Sequence, residues 1–250
     1  MNSIQIPVGI SNFERIRENN YYYIDKSGLL IDMLKEEMDQ VMLITRPRRF
    51  GMSMFSSFVD IRKDSGKLFK GLKIAEHKDI CQNWMNKYPT LFLSFKDVDG
   101  MNFENAFALL KFGISLFCDE HSYLESSDLV TDTQKKIFHR LREQTATITD
   151  VQSSLLILMK RYYGKPVVLL IDEYDVPIAK ASSNGYYKEM LEVMKAMLSA
   201  ALKDNSALKF AVITGCLKIA KESIFTGTNN FVSDTIATTR FNEYFGFTQQ

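Results

Sequence analysis

Two short stretches of the chain carry residue types that could act together on a phosphate group. In the first, the strand-forming residues Val41 to Thr45 run into a loop that contains Gly51 and Ser53, and an apolar helical segment follows. A glycine-containing loop between a strand and a helix presents backbone N–H groups to an anion, and a serine hydroxyl at this position is a ligand for Mg²⁺. The first stretch therefore predicts a phosphate loop, which we define as residues 46–53.

The phosphate loop matches only part of the pattern G-x-x-x-x-G-K-[ST], because Arg46 replaces the first glycine and Met52 replaces the lysine. That lysine neutralises phosphate oxygens during transfer, and methionine offers neither charge nor donor. Since the loop amides and Ser53 remain, we expect weakened nucleotide binding and sharply reduced hydrolysis. Arg46, Arg48 or Arg49 can either supply the missing charge or serve as structural arginines that pair with carboxylates or face solvent.

The second stretch is the continuous apolar run of residues 167–171, which ends in Asp172 and Glu173. Such a run is typical of a strand buried on both faces. After a strand of this kind, the first carboxylate can hold Mg²⁺ and the second can polarise an attacking water. The alternative is that the two acids only flank the next element. The two stretches together, in this order, favour a nucleotide site.

These stretches resemble a known family. Residues 45–53 are similar to TRPRRFGKS, the Walker A loop of the bacterial AAA-ATPase-like family, with Met52 in place of its lysine. Other segments resemble the family's N-terminal signature, its Walker B strand and its later blocks: residues 6–13, 23–27, 170–177, 214–215, 221–230 and 244–248. The similarity spans nearly the whole chain.

The resemblance implies an additional-strand P-loop NTPase that uses ATP and Mg²⁺. Nucleotide would contact the phosphate loop at Arg46, Arg48, Arg49, Phe50, Gly51, Met52 and Ser53. Mg²⁺ would lie between Ser53 and Asp172, with Glu173 as the base. Thr214 follows a strand at the position where additional-strand ATPases place a sensor of the γ-phosphate.

The family typically continues into a PD-(D/E)XK nuclease-like domain. Only two residues follow Thr248, so we expect that region to be absent and the chain to be a fragment. Residues 1–26 are predicted to be an ordered loop with a short extended piece, packed on an ATPase-like domain of residues 27–248. Nucleic acid, reached through the missing region, and a second copy of the chain remain open as partners.

Strands alternate with helical patterns along the chain, which predicts an α/β fold with a mainly parallel sheet sandwiched by helices. The predicted strands are residues 41–45, 91–95, 167–171, 208–213 and 235–241. The predicted helices include one capped by Ser27, one after the phosphate loop, and residues 102–118, 133–142, 149–163 and 187–203. A loop is predicted at residues 182–185.

Composition excludes several classes of protein. The 250 residues carry a net charge of +1, so any contact with nucleic acid would need a local patch. No apolar run is long enough to span a bilayer, and we expect no signal peptide before the first element. The three cysteines are scattered and the three histidines lack ligand spacing. We therefore expect a cytoplasmic protein with reduced thiols, no zinc and no membrane partner.

Three functions remain open at this point. The first is an ATPase module that acts on a linked nuclease-like or other partner domain, which the intact Asp172–Glu173 pair and Ser53 favour. The second is a nucleotide-binding switch without turnover, which Met52 favours. The third is a nucleic-acid-binding module that uses Arg46, Arg48 and Arg49. The near-neutral net charge weighs against the third.

Overall fold

The structure is a computed structural model that describes residues 5–35, 41–45, 51–216, 225, 231–235 and 237–244. Residues 148–153 are described through their backbone alone. Four predicted nucleotide-binding residues therefore lie outside the described residues: Arg46, Arg48, Arg49 and Phe50. The same holds for most of the block at residues 221–230.

A five-stranded parallel sheet forms the centre of the molecule, as predicted. Its strands in chain order are β1 (Val41–Thr45), β2 (Thr90–Ser94), β3 (Val167–Asp172), β4 (Leu208–Gly215) and β5 (Phe231–Thr235). Their order in space is β2-β3-β4-β1-β5, and every pairing is parallel. All five carboxyl ends therefore lie along one edge, and β4 separates the strand before the phosphate loop from the strand that ends in Asp172.

Helices cover both faces of the sheet because its strands are apolar on both faces. In β1, Val41 and Leu43 belong to one hydrophobic cluster, whereas Met42 and Ile44 belong to the other. All four side chains are at most 1% exposed. This alternation follows from the two-residue period of a strand, and the continuous apolar runs that predicted buried strands are its sequence counterpart.

The described residues include ten α-helices: α1 (Phe13–Glu18), α2 (Gly28–Lys35), α3 (Met52–Val59), α4 (Gly66–Phe69), α5 (Lys78–Trp84), α6 (Phe103–Glu120), α7 (Asp132–Arg142), α8 (Ile148–Tyr163), α9 (Val176–Asn184) and α10 (Tyr187–Leu202). Short 3₁₀ turns occur at Lys73–Glu76, Ser122–Leu124 and Asn242–Tyr244. Within the described ranges, none of the helices has both the length and the apolar character needed to cross a membrane. The α/β sandwich confirms the predicted fold class.

Several predicted elements differ from the structure. The loop predicted at residues 182–185 is wrong, because α9 continues to Asn184 and ends at Gly185, whose left-handed φ of 85° closes the helix. The N-terminal loop contains α1, which the sequence analysis did not predict. The fifth strand lies at Phe231–Thr235, so the predicted bounds 235–241 are wrong. Ser27 precedes α2, but its hydroxyl accepts from the N–H of Ile74 at 3.1 Å.

A fully buried histidine, His121, lies at the end of α6. Its Nδ1 atom lies 2.8 Å from the carbonyl oxygen of Phe117, and its ring stacks on the Phe117 ring at 3.9 Å. The carbonyl can only accept, so Nδ1 carries the proton and Nε2 is a buried lone pair without a hydrogen-bond partner in the structure. Burial, assisted by the positive charge of Arg62, lowers the pKa of His121 to about 4.

The shifted pKa predicts acid sensitivity. Below pH 6.5 the unfolded chain binds a proton at His121 that the folded chain refuses until about pH 4. Between these values the fold should lose about 3 kcal/mol of unfolding free energy. His121→Phe should remove this loss, measured by urea denaturation at each pH, whereas the exposed substitution His139→Gln should retain it. An unchanged pH dependence in His121→Phe would contradict the assignment.

Candidate functional site

The carboxylate of Asp172 stands at the end of β3, beside the end of β4. Its Oδ1 atom accepts hydrogen bonds from the Thr214 hydroxyl at 2.5 Å and from the Glu173 N–H at 3.1 Å. Its backbone carbonyl accepts from the N–H of Phe95 at 3.0 Å. Oδ2 makes no hydrogen bond to a residue that the structure describes. Thr214 at the end of β4 and the N–H of Glu173 thus orient this carboxylate, and among the described residues its Oδ2 atom is left for a ligand.

Glu173 occupies a sharp turn directly after β3. Its φ of 56° lies in the left-handed region, which costs a bulky residue about 1–2 kcal/mol. The next residue, Tyr174, is fully buried, and its N–H donates to the carbonyl of Thr214 at 3.0 Å. The buried tyrosine anchors the turn on β4, so the strained backbone fixes the half-buried Glu173 directly after Asp172.

Thr214 is 4% exposed and bridges the two strands that carry the predicted chemistry. Its hydroxyl lies 3.5 Å from the carbonyl of Ile171 besides its short contact with Asp172. The structure therefore brings together three of the predicted site residues: Asp172, Glu173 and Thr214.

The end of β4 contains a close approach that the sequence analysis did not recognise. The buried carboxylate of Asp175 accepts from the N–H of Cys216 at 3.1 Å. A Cβ atom added to Gly215 would lie 2.4 Å from Asp175 Oδ1 and 2.7 Å from the Tyr174 ring. Only glycine fits this position, and the acidic turn packs directly on its backbone. In the sequence, the signal for this contact was that Asp175 and Gly215 each lie in a segment that resembles the family, residues 170–177 and 214–215.

The substitution Gly215→Ala should therefore destabilise the fold. The added methyl group overlaps the carboxylate and ring, and overpacking of this kind typically costs about 1–3 kcal/mol. Gly113→Ala is the matched control, because an added Cβ there meets nothing within 4 Å. That exposed helical position should be stabilised by up to about 1 kcal/mol. Urea denaturation of both variants measures the difference, and equal stabilities would contradict the packing at Gly215.

The described part of the phosphate loop begins at Gly51, whose φ of 88° is left-handed. Its carbonyl accepts from the N–H of Phe55 at 2.9 Å and so starts α3. Met52, the first residue of α3, is 4% exposed and belongs to the apolar cluster on one face of the sheet. The side chain that replaces the expected lysine is therefore packed in the core in this structure.

Ser53, in the first turn of α3, is held by residues 11–13, the segment that leads into α1. Its hydroxyl donates to the carbonyl of Ser11 and accepts from the N–H of Phe13, each at 3.0 Å. The role at Mg²⁺ that was predicted for Ser53 gave no indication of this attachment, because hydrogen bonds from a side chain to the backbone of a distant segment leave no local pattern in the sequence.

A further polar cluster lies at the ends of β1 and β5. Asp234 is 2% exposed and its carboxylate accepts a hydrogen bond from the Thr238 hydroxyl. The Thr45 hydroxyl approaches the carbonyl of Asp234 at 3.5 Å. This carboxylate was not predicted as part of the edge, because the fifth strand was expected at residues 235–241, after Asp234. At the carboxyl edge of the sheet, buried acids thus lie beside both neighbours of β1: Asp175 beside β4 and Asp234 in β5.

The comparison with known families decides the affiliation of the chain. The model of the AAA-ATPase-like family, described as predicted AAA-ATPase, matches residues 7–225. The chain belongs to this family. The match covers β1 to β4 and includes every predicted site residue, which confirms the resemblance found in the sequence. It supports an ATPase-like module.

Relatives with a described activity are not among the matches. One similar protein is the uncharacterised protein in the vnfD 5′ region of Azotobacter chroococcum mcd 1, which is 28% identical over 255 residues. The alignment covers 100% of this chain but 44% of that protein, so the chain spans less than half of its relative's length. No solved structure matches the chain.

Proposed function

We propose that the chain is a Mg²⁺-dependent ATP-binding module of the AAA-ATPase-like family whose hydrolysis is limited by Met52. The observation that carries this proposal is the contact between Asp172 and Thr214 at the ends of neighbouring strands. Beside them, β1 runs into the phosphate loop and α3. Ligands of open parallel sheets bind outside the carboxyl ends of the strands.

The oxygen donors at this edge fit Mg²⁺. Mg²⁺ prefers hard oxygen ligands and is usually held by one or two protein oxygens together with substrate phosphates. Asp172 offers the Oδ2 atom, and the Ser53 hydroxyl retains one lone pair beyond its two hydrogen bonds. When bound there with ATP, the ion would neutralise charge on the phosphate oxygens.

The other predicted site residues would have the roles that phosphoryl transfer requires. Glu173 would orient and deprotonate the attacking water, and Thr214 would contact the γ-phosphate region while it orients Asp172. Gly51 would present its N–H to the phosphates at the start of α3. Residues of the loop with side-chain donors would add charge: Arg46, Arg48 and Arg49. Phe50 and Met52 would contribute backbone contacts.

Calorimetric titration tests this proposal. We expect ATP to bind in the presence of Mg²⁺ and to bind more weakly when EDTA removes the ion. ADP and GTP, titrated under the same conditions, report the selectivity for the γ-phosphate and the base. Asp172→Asn, which keeps the size of the side chain, should abolish the Mg²⁺ dependence. Absence of ATP binding at millimolar concentration would overturn the proposal.

The burial of Met52 favours a second candidate, a nucleotide-binding switch without turnover. A methionine packed in the apolar cluster cannot follow the charge that develops on the γ-phosphate. Single-turnover measurement of phosphate release separates the two candidates. Turnover by the unaltered chain favours the ATPase, and stable retention of bound ATP favours the switch.

We further propose that the module works on a linked partner. The chain covers 44% of its relative, so the remaining length of such proteins leaves room for a partner domain. Residues 27–248 would then form the module, with residues 1–26 packed against it. Any contact with nucleic acid would be made through the partner domain, and a second copy of the chain could complete the nucleotide site.

A further inference from the structure

The segment that leads into α1, residues 11–13, fixes the direction in which Ser53 can accept a ligand. A serine oxygen has one proton and two lone pairs. Here the proton goes to the carbonyl of Ser11 and one lone pair takes the N–H of Phe13, each at 3.0 Å. One lone pair remains, and its direction follows from the other two bonds and the Cβ atom.

The segment is itself anchored by contacts that do not involve Ser53. The Asn12 side chain caps α1 by accepting from the N–H of Arg15 at 2.9 Å. The Phe13 ring is 3% exposed and packs against the ring of Phe69 at 4.9 Å. Farther along α1, Arg17 Nε donates to the carbonyl of Leu68 at 2.8 Å. The partners of the Ser53 hydroxyl are therefore in place before any ligand arrives.

Glu14 adds a direct connection between α1 and α3. Its carboxylate accepts from the Ser57 hydroxyl at 2.9 Å and pairs with Lys63. Burial acts to raise the pKa of Glu14, but the hydrogen bonds from Lys63 and Ser57 outweigh it and the pKa is lowered. The carboxylate is thus ionised at neutral pH, and α1 stays attached to the helix that carries Ser53.

We propose that the backbone of Ser11 and Phe13 is the positioning element for the Ser53 hydroxyl, aiming its last lone pair at Mg²⁺. This inference rests on the proposed function, because it requires Mg²⁺–ATP at the phosphate loop. Ligation would use the remaining lone pair and leave both hydrogen bonds intact. The hydroxyl then needs no reorientation on binding, which is worth a factor of about 3–10 in Mg²⁺ affinity.

A pair of substitutions at Phe13 isolates the N–H donor. Phe13→Ala removes the ring and keeps the N–H, whereas Phe13→Pro removes both. Proline is tolerated at this position, the first residue of α1, and Asn12 already has the extended φ and ψ of –78° and 116° that precede proline. The measured quantity is ATP affinity at a series of Mg²⁺ concentrations and in EDTA.

We expect Phe13→Pro to need about 3–10 times more Mg²⁺ than Phe13→Ala for the same gain in ATP affinity. The ATP affinity in EDTA should be equal in the two variants, because a general loss of structure would lower it as well. Equal Mg²⁺ dependence in the two variants, with the unaltered chain binding Mg²⁺–ATP, would overturn this inference alone. Failure of the unaltered chain to bind ATP would overturn the proposed function and this inference with it.

Hydrogen exchange of the unaltered chain tests the same inference in a second way, which does not require the variants to fold. The Phe13 amide should remain protected when saturating Mg²⁺–ATP is added, because its bond to Ser53 persists. Loss of that protection, with the amides of α3 still protected, would show that Ser53 turns away from the segment and would overturn the inference.

Discussion

Met52→Lys should raise the affinity for Mg²⁺–ATP about 10- to 100-fold. A charge-assisted contact contributes about 1.5–3 kcal/mol, and a tenfold change in affinity corresponds to about 1.4 kcal/mol. The two side chains have similar unbranched stems and similar helix propensities, so α3 should start at the same residue. Calorimetry with ATP and Mg²⁺ measures the change, and phosphate release shows whether hydrolysis returns with it.

The structure adds a cost that the sequence did not indicate. Met52 is 4% exposed in an apolar cluster, so a lysine there loses its hydration. Pairing with a bound phosphate would compensate for that loss. Without nucleotide, the variant should have a free energy of unfolding that is lower by several kcal/mol, the usual cost of an unpaired buried ion. Mg²⁺–ATP should then raise its melting temperature more than that of the unaltered chain, since the stabilisation by a ligand grows with the logarithm of its affinity.

Met52→Leu is the matched control, because it keeps an apolar side chain of similar volume and adds no charge. It should leave ATP affinity near that of the unaltered chain. Equal affinities for Met52→Lys and Met52→Leu would mean that residues 46–53 are not a phosphate cage. A rise in affinity without hydrolysis would favour the switch, or a missing group from a partner domain or second subunit.

Glu173→Gly should lower activity and raise stability, whereas Glu173→Gln should lower activity alone. In the Met52→Lys background, both Glu173→Gln and Glu173→Gly should reduce hydrolysis about 10²- to 10⁴-fold, because neither side chain can accept a proton from water. Glu173→Gly also relieves the left-handed φ of 56° and should unfold with about 1 kcal/mol more free energy than Glu173→Gln. Single-turnover assays and urea denaturation measure the two effects.

Glu192→Gln serves as the control for a change of charge, since this acid is exposed on α10 and far along the chain from the turn. It should leave both quantities unchanged. In the Met52→Lys background, Glu173→Gln should still bind Mg²⁺–ATP tightly and leave it uncleaved. Full hydrolysis by Glu173→Gln would remove Glu173 from its role as the base, and Asp175, the next acid of the same turn, would be tested in its place.

The sequence predicted the strands that carry the chemistry because burial on both faces leaves a strong local signal. Residues 41–45 and 167–171 are unbroken apolar runs, and the structure contains β1 and β3 there. β5 was misplaced because Ser233 and Asp234 interrupt its apolar pattern, whereas the strand is held by its pairing with β1. Helix α9 was missed because its last residues, Ser182 to Asn184, are exposed and polar.

Part of the candidate site could likewise be predicted from the sequence, and part could not. Asp172 and Thr214 lie at the ends of β3 and β4 and Glu173 directly follows β3, so their meeting at one edge could be predicted from the alternation of strands and helices. The hydrogen bonds of Ser53 to residues 11–13 could not be predicted. They join the Ser53 hydroxyl to backbone atoms of residues 40 and 42 positions away. Backbone partners place no constraint on residue type and leave no motif.

The order of the strands has a consequence for biosynthesis. β1 is made early, yet both of its neighbours, β4 and β5, come from residues 208–215 and 231–235. A nascent chain can pair β2 with β3 well before that, while β1 waits with two open edges and five residues that are all buried in the finished protein. Open apolar edges are the usual seeds of aggregation. The strand that leads into the phosphate loop thus stays unpaired longest during synthesis, and a chain released before β4 has been made lacks the strand that joins β1 to β3.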